Sequence, residues 1–476
     1  MQALYRQNGA SWRPALLSWA LLLVGRQGRR PLLRVLLAAM ATALLAGCGP
    51  REQKESAAPS QSDLEGPRRL NLVLVSLDTL RADRLGTYGY SRPTTPFLDQ
   101  FSRSAVVFEK AIAQAPFTRP SHNSLFQSRL ASRVSPESAT LAEALRDAGY
   151  ETAGFTDGGY VSSKFGFDRG FAIYHEGRQG LSESVPKVDE WLRARNDSLP
   201  FFLFLHTYDV HLPYSSPREY RDLFVDPDYS GPVNPKTTRT LAQQFKRQIK
   251  EGEDPIVLTE ADKKHFNDLY DAGVRYLDDQ LRDFVEVLEE NADMSRTIVV
   301  LTSDHGEELW DHGSISHGHE LFQELVHVPL IVRFPRERFA GTRVQAVVPL
   351  MDLSPGLLEL LRVPIPGSFE GTSIVPLISG VSAEHRVAFS EMARASTIVD
   401  FPWKLTVHRK EYPEGRLFNL ENDPLELSPL TGLPEVRERL ERQLRDLGVS
   451  RVPDAADPGS VPKELADRLR ALGYIQ

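Results

Sequence analysis

Three apolar runs in this chain end on residues that could do chemistry. Asn71 to Leu77 (NLVLVSL) runs into Asp78-Thr79, and Thr297 to Leu301 (TIVVL) runs into Ser303-Asp304-His305. Pro200 to Leu205 (PFFLFL) is followed by His206-Thr207-Tyr208-Asp209-Val210-His211. Runs of this length and composition predict strands buried on both faces. In a doubly wound sheet, ligands gather beyond the carboxyl ends of such strands. Carboxylates and imidazoles converging there are what a divalent cation needs, so Asp78, Asp304 and His305 are candidate metal ligands. Histidine usage sharpens this: five of the 12, His305, His312, His317, His319 and His327, fall within one short stretch. A single histidine would read as surface or core. An Asp-His pair followed by His317-Gly318-His319 is harder to explain as packing and marks metal or substrate binding.

Holding these residues at one edge requires strands alternating with helices. Tyr150 to Phe155 and Pro329 to Phe334 complete five strand candidates. Pro96 to Ala105, Pro120 to Leu130, Leu141 to Ala148 and Glu260 to Glu290 read as helices by their apolar spacing. The fold class is therefore α/β, a mostly parallel central sheet sandwiched by helices. Residues 216–256 read as an insertion or long loop. Beyond them the chain changes character: Trp403 to Val407 and Leu417 to Leu420 resemble antiparallel strands, and Val436 to Leu447 and Pro462 to Leu472 helices, together a smaller C-terminal α+β subdomain. The divisions expected are 1–48, 49–67, 68–385 and 386–476. The sequence contains no internal repeat, P-loop, G-x-S-x-G elbow or H-E-x-x-H.

Composition narrows the classes further. Over 476 residues, 56 Lys+Arg stand against 64 Asp+Glu, a net charge of −8, which argues against a nucleic-acid partner. The single cysteine, Cys48, excludes intrachain disulfides and zinc or iron–sulfur sites built on Cys. Arg26, Arg29, Arg30 and Arg34 precede the apolar run Val35 to Leu45, and Ala46-Gly47-Cys48 follows, the layout of an export signal. A further apolar run, Ala15 to Val24, lies upstream and reads as preceding the true translation start. Residues 49–67, rich in Pro, Ser and Glu, read as a flexible tether.

Leu45-Ala46-Gly47-Cys48 resembles a bacterial lipobox, which implies lipidation of Cys48 and a membrane-anchored protein facing the periplasm or cell surface. The body resembles the sulfatase family of the alkaline phosphatase superfamily. The resemblance is carried by NLVLVSLDTLRADRLGTYGYSRPTTPFLDQF, by APFTRPSHNSLF, by TIVVLTSDHGEELWDHGSISHGHELFQELVHVPLIVRFP and by WKLTVHRKEYPEGRLFNLENDPLEL, in family order from about 70 to 425. It implies metal ligands at Asp78, Asp304 and His305, and a nucleophile that is also a ligand at Thr118. It also implies a catalytic substrate-binding histidine at His211, and a later contact to the anionic group at His317 or His319. Only one metal is implied, because Asp209-Val210-His211 has the wrong spacing for the Asp-x-x-x-His of a second.

The departures from the family pattern matter most. Sulfatases carry Cys or Ser in C/S-x-P-x-R and oxidise it to formylglycine. Here the motif reads Thr118-Arg119-Pro120-Ser121-His122, and threonine cannot give that aldehyde, so no formylglycine is expected. Thr before Pro is also a routine helix start, and both roles can hold together. Arg119 and His122 are the weaker substrate-contact candidates. Imidazole at His305 favours manganese or zinc over calcium or magnesium. The expected activity is hydrolysis of phosphate or sulfate esters through a covalent intermediate on Thr118, phosphoesters favoured. The alternatives are a genuine sulfatase, a phosphotransferase to an envelope glycan or lipid, and a non-catalytic lipoprotein binding an anionic glycan.

Overall fold

The strand that ends on Asp78 is buried at all seven positions, and its side chains divide between two cores. Val73, Val75 and Leu77 of β1 (Asn71–Leu77) pack under the helices Leu181–Ala194 and Glu260–Asn291, while Leu72 and Leu74 face Leu125, Leu141, Leu145 and Leu357 on the other side. This is the alternation a strand imposes, with apolar residues needed at both parities because both faces are covered. The structure, a computed structural model, describes residues 69–251, 257–380, 385–448 and 462–471. The expected export signal, Cys48 and the 49–67 tether lie outside the described residues.

The remaining strands are β2 (Val106–Ile112), β3 (Glu151–Thr156), β4 (Ile173–Glu176), β5 (Phe201–Thr207), β6 (Thr297–Thr302), β7 (Glu308–Leu309), β8 (Ile315–Ser316), β9 (His327–Val328), β10 (Leu330–Arg333) and β11 (Arg343–Pro349). The large sheet runs β11-β2-β10-β6-β1-β5-β3-β4, with β9 paired to β2. β1 is parallel to β5 and to β6, and β3 to both β4 and β5, whereas β10 is antiparallel to β6 and β2. A mostly parallel sheet is thus observed, and Leu330–Arg333 and the short His327–Val328 are its reversed members; an apolar run carries no mark of direction. A separate antiparallel sheet, β12 (Ala388–Glu391), β13 (Ala395–Asp400), β14 (Trp403–His408) and β15 (Tyr412–Asn419), forms the smaller C-terminal part.

Two helix starts are fixed by capping boxes. Thr140 and Glu143 cap Leu141–Asp147, and Thr259 and Asp262 cap the 32-residue helix Glu260–Asn291. Residues 216–256, read as an insertion or long loop, are not all loop: Arg218–Arg221 and Thr237–Glu251 are helical, and Ala242 and Phe245 reach the core. The polar composition of the longer helix hid an apolar stripe only one or two residues wide. Among the described residues, no helix is long and apolar enough to cross a membrane.

Candidate active site

β6, β1 and β5 lie side by side, and their register aligns Thr302, Ser76 and His206 in one row across the sheet. The next residues, beyond the strand ends, are the ones with chemistry. Asp78 leaves β1 through a turn in which Thr79 adopts φ 59, a left-handed conformation unfavourable for a β-branched residue. Tyr270 of the long helix latches that turn, its hydroxyl donating to the Thr79 carbonyl (2.8 Å) and accepting from Arg81 N (3.1 Å). Ser303 ties the β1 and β6 turns together, accepting from Leu80 N and donating to the His305 carbonyl at 2.6 Å. Gly306 lets the second turn lie against Gln323–Val326, since a Cβ there would overlap the Glu324 carbonyl.

Thr118 opens the helix Thr118–Gln127 and is fully buried. Its hydroxyl donates to Asp78 Oδ2 at 3.1 Å and lies 3.3 Å from His305 Nε2. His305 Nδ1 donates to the Gly306 carbonyl at 2.8 Å, so Nε2 carries the lone pair turned to this centre. Asp78, Asp304 and His305 together offer three ligand atoms within 4.8 Å of one another. Asp78 Oδ1 and both carboxylate oxygens of Asp304 are buried without a hydrogen-bond partner. Burial raises the pKa of both carboxyls well above the ordinary range, and the Asp78 charge raises Asp304 further. Orphaned, desolvated carboxylate oxygens beside an imidazole lone pair fit a divalent cation.

The other predicted residues fall into three places. His211 donates from Nδ1 to the Leu212 carbonyl (2.8 Å), and His317 from Nδ1 to Glu307 Oε1 (2.8 Å). Their rings are 5.1 Å apart, and His317 lies 4.5 Å from the His305 ring. Burial and the neighbouring His317 hold the His211 pKa well below its ordinary value, so His211 rests neutral. His319 is elsewhere: its Nε2 meets Glu308 Oε2 at 2.7 Å, beside a second acid–imidazole group of Glu308, His312 and Glu324. Arg119 extends over the Phe165 ring at 4.4 Å.

His122 differs from the expectation of a substrate contact. Its Nδ1 donates to the Thr118 carbonyl (2.9 Å) and its Nε2 meets Ser76 Oγ (2.9 Å), both inside the protein. It braces the first turn of the helix that Thr118 opens, four residues on and facing the sheet.

Two residues of this centre were not singled out from the sequence. His206 projects from β5 with Nε2 3.5 Å from Asp78 Oδ2, and neither ring nitrogen has a hydrogen-bond partner. Glu307 orients His317 and accepts from the Tyr214 hydroxyl at 3.1 Å. A histidine ending an otherwise apolar strand was the available signal for the first; Glu307 offered none beyond its neighbours.

The sequence model of the sulfatase family matches residues 70–363, and that of the C-terminal region of N-sulphoglucosamine sulphohydrolase matches residues 317–450. The chain belongs to the sulfatase family, within the alkaline phosphatase superfamily, and is an ester-bond hydrolase of that family. Arylsulfatase K of Mus musculus is 25% identical over 483 residues, covering 87% of this chain and 85% of the relative. An N-acetylglucosamine-6-O-sulfatase of Bacteroides thetaiotaomicron is 20% identical over 509 residues, covering 85% and 88%. The same fold is seen in a phosphonate monoester hydrolase of Agrobacterium radiobacter, with TM-score 0.65, 19% identity and coverage of 80% of this chain and 95% of the other. It recurs in a protein solved in complex with its substrate D-glucosamine-2-N,6-O-disulfate, with TM-score 0.67, 18% identity and coverage of 80% and 97%.

Proposed function

We propose that the protein hydrolyses phosphate or sulfate esters with the unmodified Thr118 hydroxyl as nucleophile, phosphoesters being preferred. The observation that carries this reading is the Thr118 hydroxyl itself, hydrogen bonded to Asp78 and 3.3 Å from His305 Nε2 at the start of a helix. Asp78, Thr118, Asp304 and His305 would hold one divalent cation, manganese or zinc by its imidazole ligand, which lowers the pKa of the hydroxyl and neutralises the substrate's charge.

The protein's own residues do the rest. Asp78 Oδ2 takes the hydroxyl proton as the Thr118 oxygen bonds to phosphorus and the bond to the departing alkoxide breaks. The backbone N–H groups of the first helical turn face the oxyanion. His317, its Nδ1 held by Glu307, gives the departing oxygen a proton from Nε2, and neutral His211, its Nδ1 proton committed to the Leu212 carbonyl, accepts a substrate hydroxyl hydrogen at Nε2. Water then attacks phosphorus and gives its proton to His317 Nε2, the bond to Thr118 breaks, and the Thr118 oxygen takes back its proton from Asp78. Phosphorylated threonine can be hydrolysed by water in this way. A formylglycine hydrate would instead release the anion by elimination, and Thr118 cannot form one. Sulfate esters are the second reading, favoured by the similarity to an arylsulfatase and an N-acetylglucosamine-6-O-sulfatase.

The basic and apolar layout ahead of Cys48 supports export and a lipid tether at that cysteine. Retention in the membrane fraction that is lost in Cys48→Ser would bear this out. The activity is tested by supplying aryl phosphate, phosphodiester, phosphonate and sulfate esters with Mn²⁺, Zn²⁺ or Ca²⁺ in turn. Phosphoester turnover absent from Thr118→Ala supports the reading; sulfate turnover with Ca²⁺ alone selects the second one, and turnover retained in Thr118→Ala overturns both.

A further inference from the structure

The end of β5 and the loop after it carry two histidines of the centre. His206 Nε2 is 3.5 Å from Asp78 Oδ2, and the His211 ring is 5.1 Å from that of His317. Tyr208 lies between them in the chain and is gripped from both ends. Its N–H donates to Asp157 Oδ2 (2.9 Å), and its hydroxyl accepts from Tyr160 N (3.1 Å). Its ring stands nearly perpendicular to both imidazoles, with centroids 4.6 Å from His206 and 5.4 Å from His211. The places of Asp157 and Tyr160 therefore set the places of the two histidines.

Both residues are held from outside by the helix Lys463–Ala471, which comes from the far end of the chain. Its Leu465, Ala466 and Leu469 pack with Tyr160 in a small buried cluster that the partly buried Phe165 joins. Phe165 in turn lies 4.4 Å beneath the guanidinium of Arg119, the neighbour of Thr118. Arg468 Nε donates to the Asp157 carbonyl (3.2 Å) and its Nη1 to the Arg178 carbonyl (3.3 Å), while its guanidinium stands 6.0 Å from the Tyr208 ring centroid. One planar fork thus ties the turn after β3 to the turn before Leu181–Ala194, where Gly180 N also donates to Asp157 Oδ1 (3.1 Å). Among the described residues, the helix adds no buried side chain to the two cores that flank β1. Its packing acts on this wall of the site. A nine-residue helix does not hold its shape alone in water, so its folding and its docking are one event.

We propose that Arg468 is a positioning residue for the reaction, and that the helix carrying it is a strap that sets His206 and His211. Docked, it holds Asp157 and Tyr208 against the loop. Undocked, it frees the loop and turnover falls. The effect on turnover rests on the ester-hydrolase reading; the effect on the loop does not.

The test follows amide hydrogen exchange, and steady-state turnover of para-nitrophenyl phosphate, in the full-length, Mn²⁺-loaded protein. Arg468→Lys keeps the charge but cannot span both carbonyls, and Leu469→Asn loosens the helix without touching Arg468. Each should speed exchange across residues 206–211 by about 10-fold or more and leave β1 and β6 unchanged. Each should lower kcat by about 10- to 100-fold and move KM by less than about threefold. Unchanged exchange at 206–211 overturns the strap, and so does faster exchange in β1 and β6 as well, which would mark a general loss of stability. A wild-type kcat in Arg468→Lys or Leu469→Asn, with the loop loosened, overturns the positioning role. If the wild type hydrolyses no ester while both variants loosen the loop, the hydrolase reading falls and the coupling of helix to histidines stands.

Discussion

The Thr118 hydroxyl donates to Asp78 Oδ2 across 3.1 Å although 40 positions separate the two residues in the chain. The bond joins the first turn of a helix to the end of the central strand and orients the Thr118 oxygen toward the acidic centre. Thr118→Ser keeps that hydroxyl and should retain most of the turnover, whereas Thr118→Ala should lower kcat by about 10³-fold or more. Acid-quenched intact-mass spectra during turnover should show one added phosphoryl or sulfuryl group on the serine and threonine proteins. Its absence, at full activity, would rule out the covalent route.

The carboxylates of Asp78 and Asp304 are fully buried with three oxygens lacking a hydrogen-bond partner. A cation that binds the folded state and not the unfolded one stabilises by mass action, about 4 kcal/mol at a thousandfold excess over its Kd. Chelation should therefore lower Tm by several degrees, and added Mn²⁺ or Zn²⁺ should restore it. Asp304→Asn removes one buried charge, so its metal-free form should melt no lower than metal-free wild type and should no longer respond to metal. Differential scanning calorimetry with and without chelator decides this.

Behind the centre, Arg81 is buried and meets Asp83 through Nε and Nη2 (2.8 and 2.6 Å), Asp311 at 2.6 and 3.1 Å, and the Glu307 carbonyl at 3.1 Å. It thereby fixes the turn that presents Glu307 to His317. Arg81→Met should destabilise by about 2–4 kcal/mol, less than a fully enclosed pair would lose because Asp83 is half exposed. Arg81→Lys should recover little, since one ammonium cannot span both carboxylates and the carbonyl. Denaturant midpoints at constant m-value measure both.

What could be read from the sequence follows from which residues act through local pattern. Asp78 and Asp304-His305 stood out because fully apolar strands ended on them. The sequence could not give the rotation of the helix that opens at Thr118. His122, four residues on, is held inside by the Thr118 carbonyl and by Ser76, a partner 46 positions away that no local pattern names. His206 stood in the run of residues after Leu205, but nothing local showed that it, rather than His211, lies beside Asp78. The strand Val106–Ile112 (VVFEKAI) and the helix Thr237–Glu251 were hidden by charged residues on their partly covered faces. Arg468 reaches Asp157 from 311 positions away, a meeting that no local pattern encodes.

His312 supplies a pH-dependent link between the catalytic and C-terminal parts. Its Nδ1 meets Glu324 Oε1 at 2.6 Å and its Nε2 faces the Glu426 carbonyl at 3.3 Å, while Glu426 itself is paired with the buried Lys404 at 2.8 Å. Two acceptors, one on each ring nitrogen, favour the imidazolium; although burial opposes it, the Glu324 carboxylate leads the pKa up to about 9. The folded value lies above the unfolded one, about 6.5. Its contribution is therefore complete below about pH 6.5 and is lost as pH rises through about 9. Wild-type Tm should fall over that window by more than the Tm of His312→Gln, whose neutral amide keeps hydrogen bonding without titrating. Because His319 and Glu308 pack in the same group, the comparison is made at fixed ionic strength, with His319→Gln as a second reference. Equal slopes for wild type and His312→Gln between pH 6 and pH 9.5 would show that the Glu324 pair does not hold His312 charged.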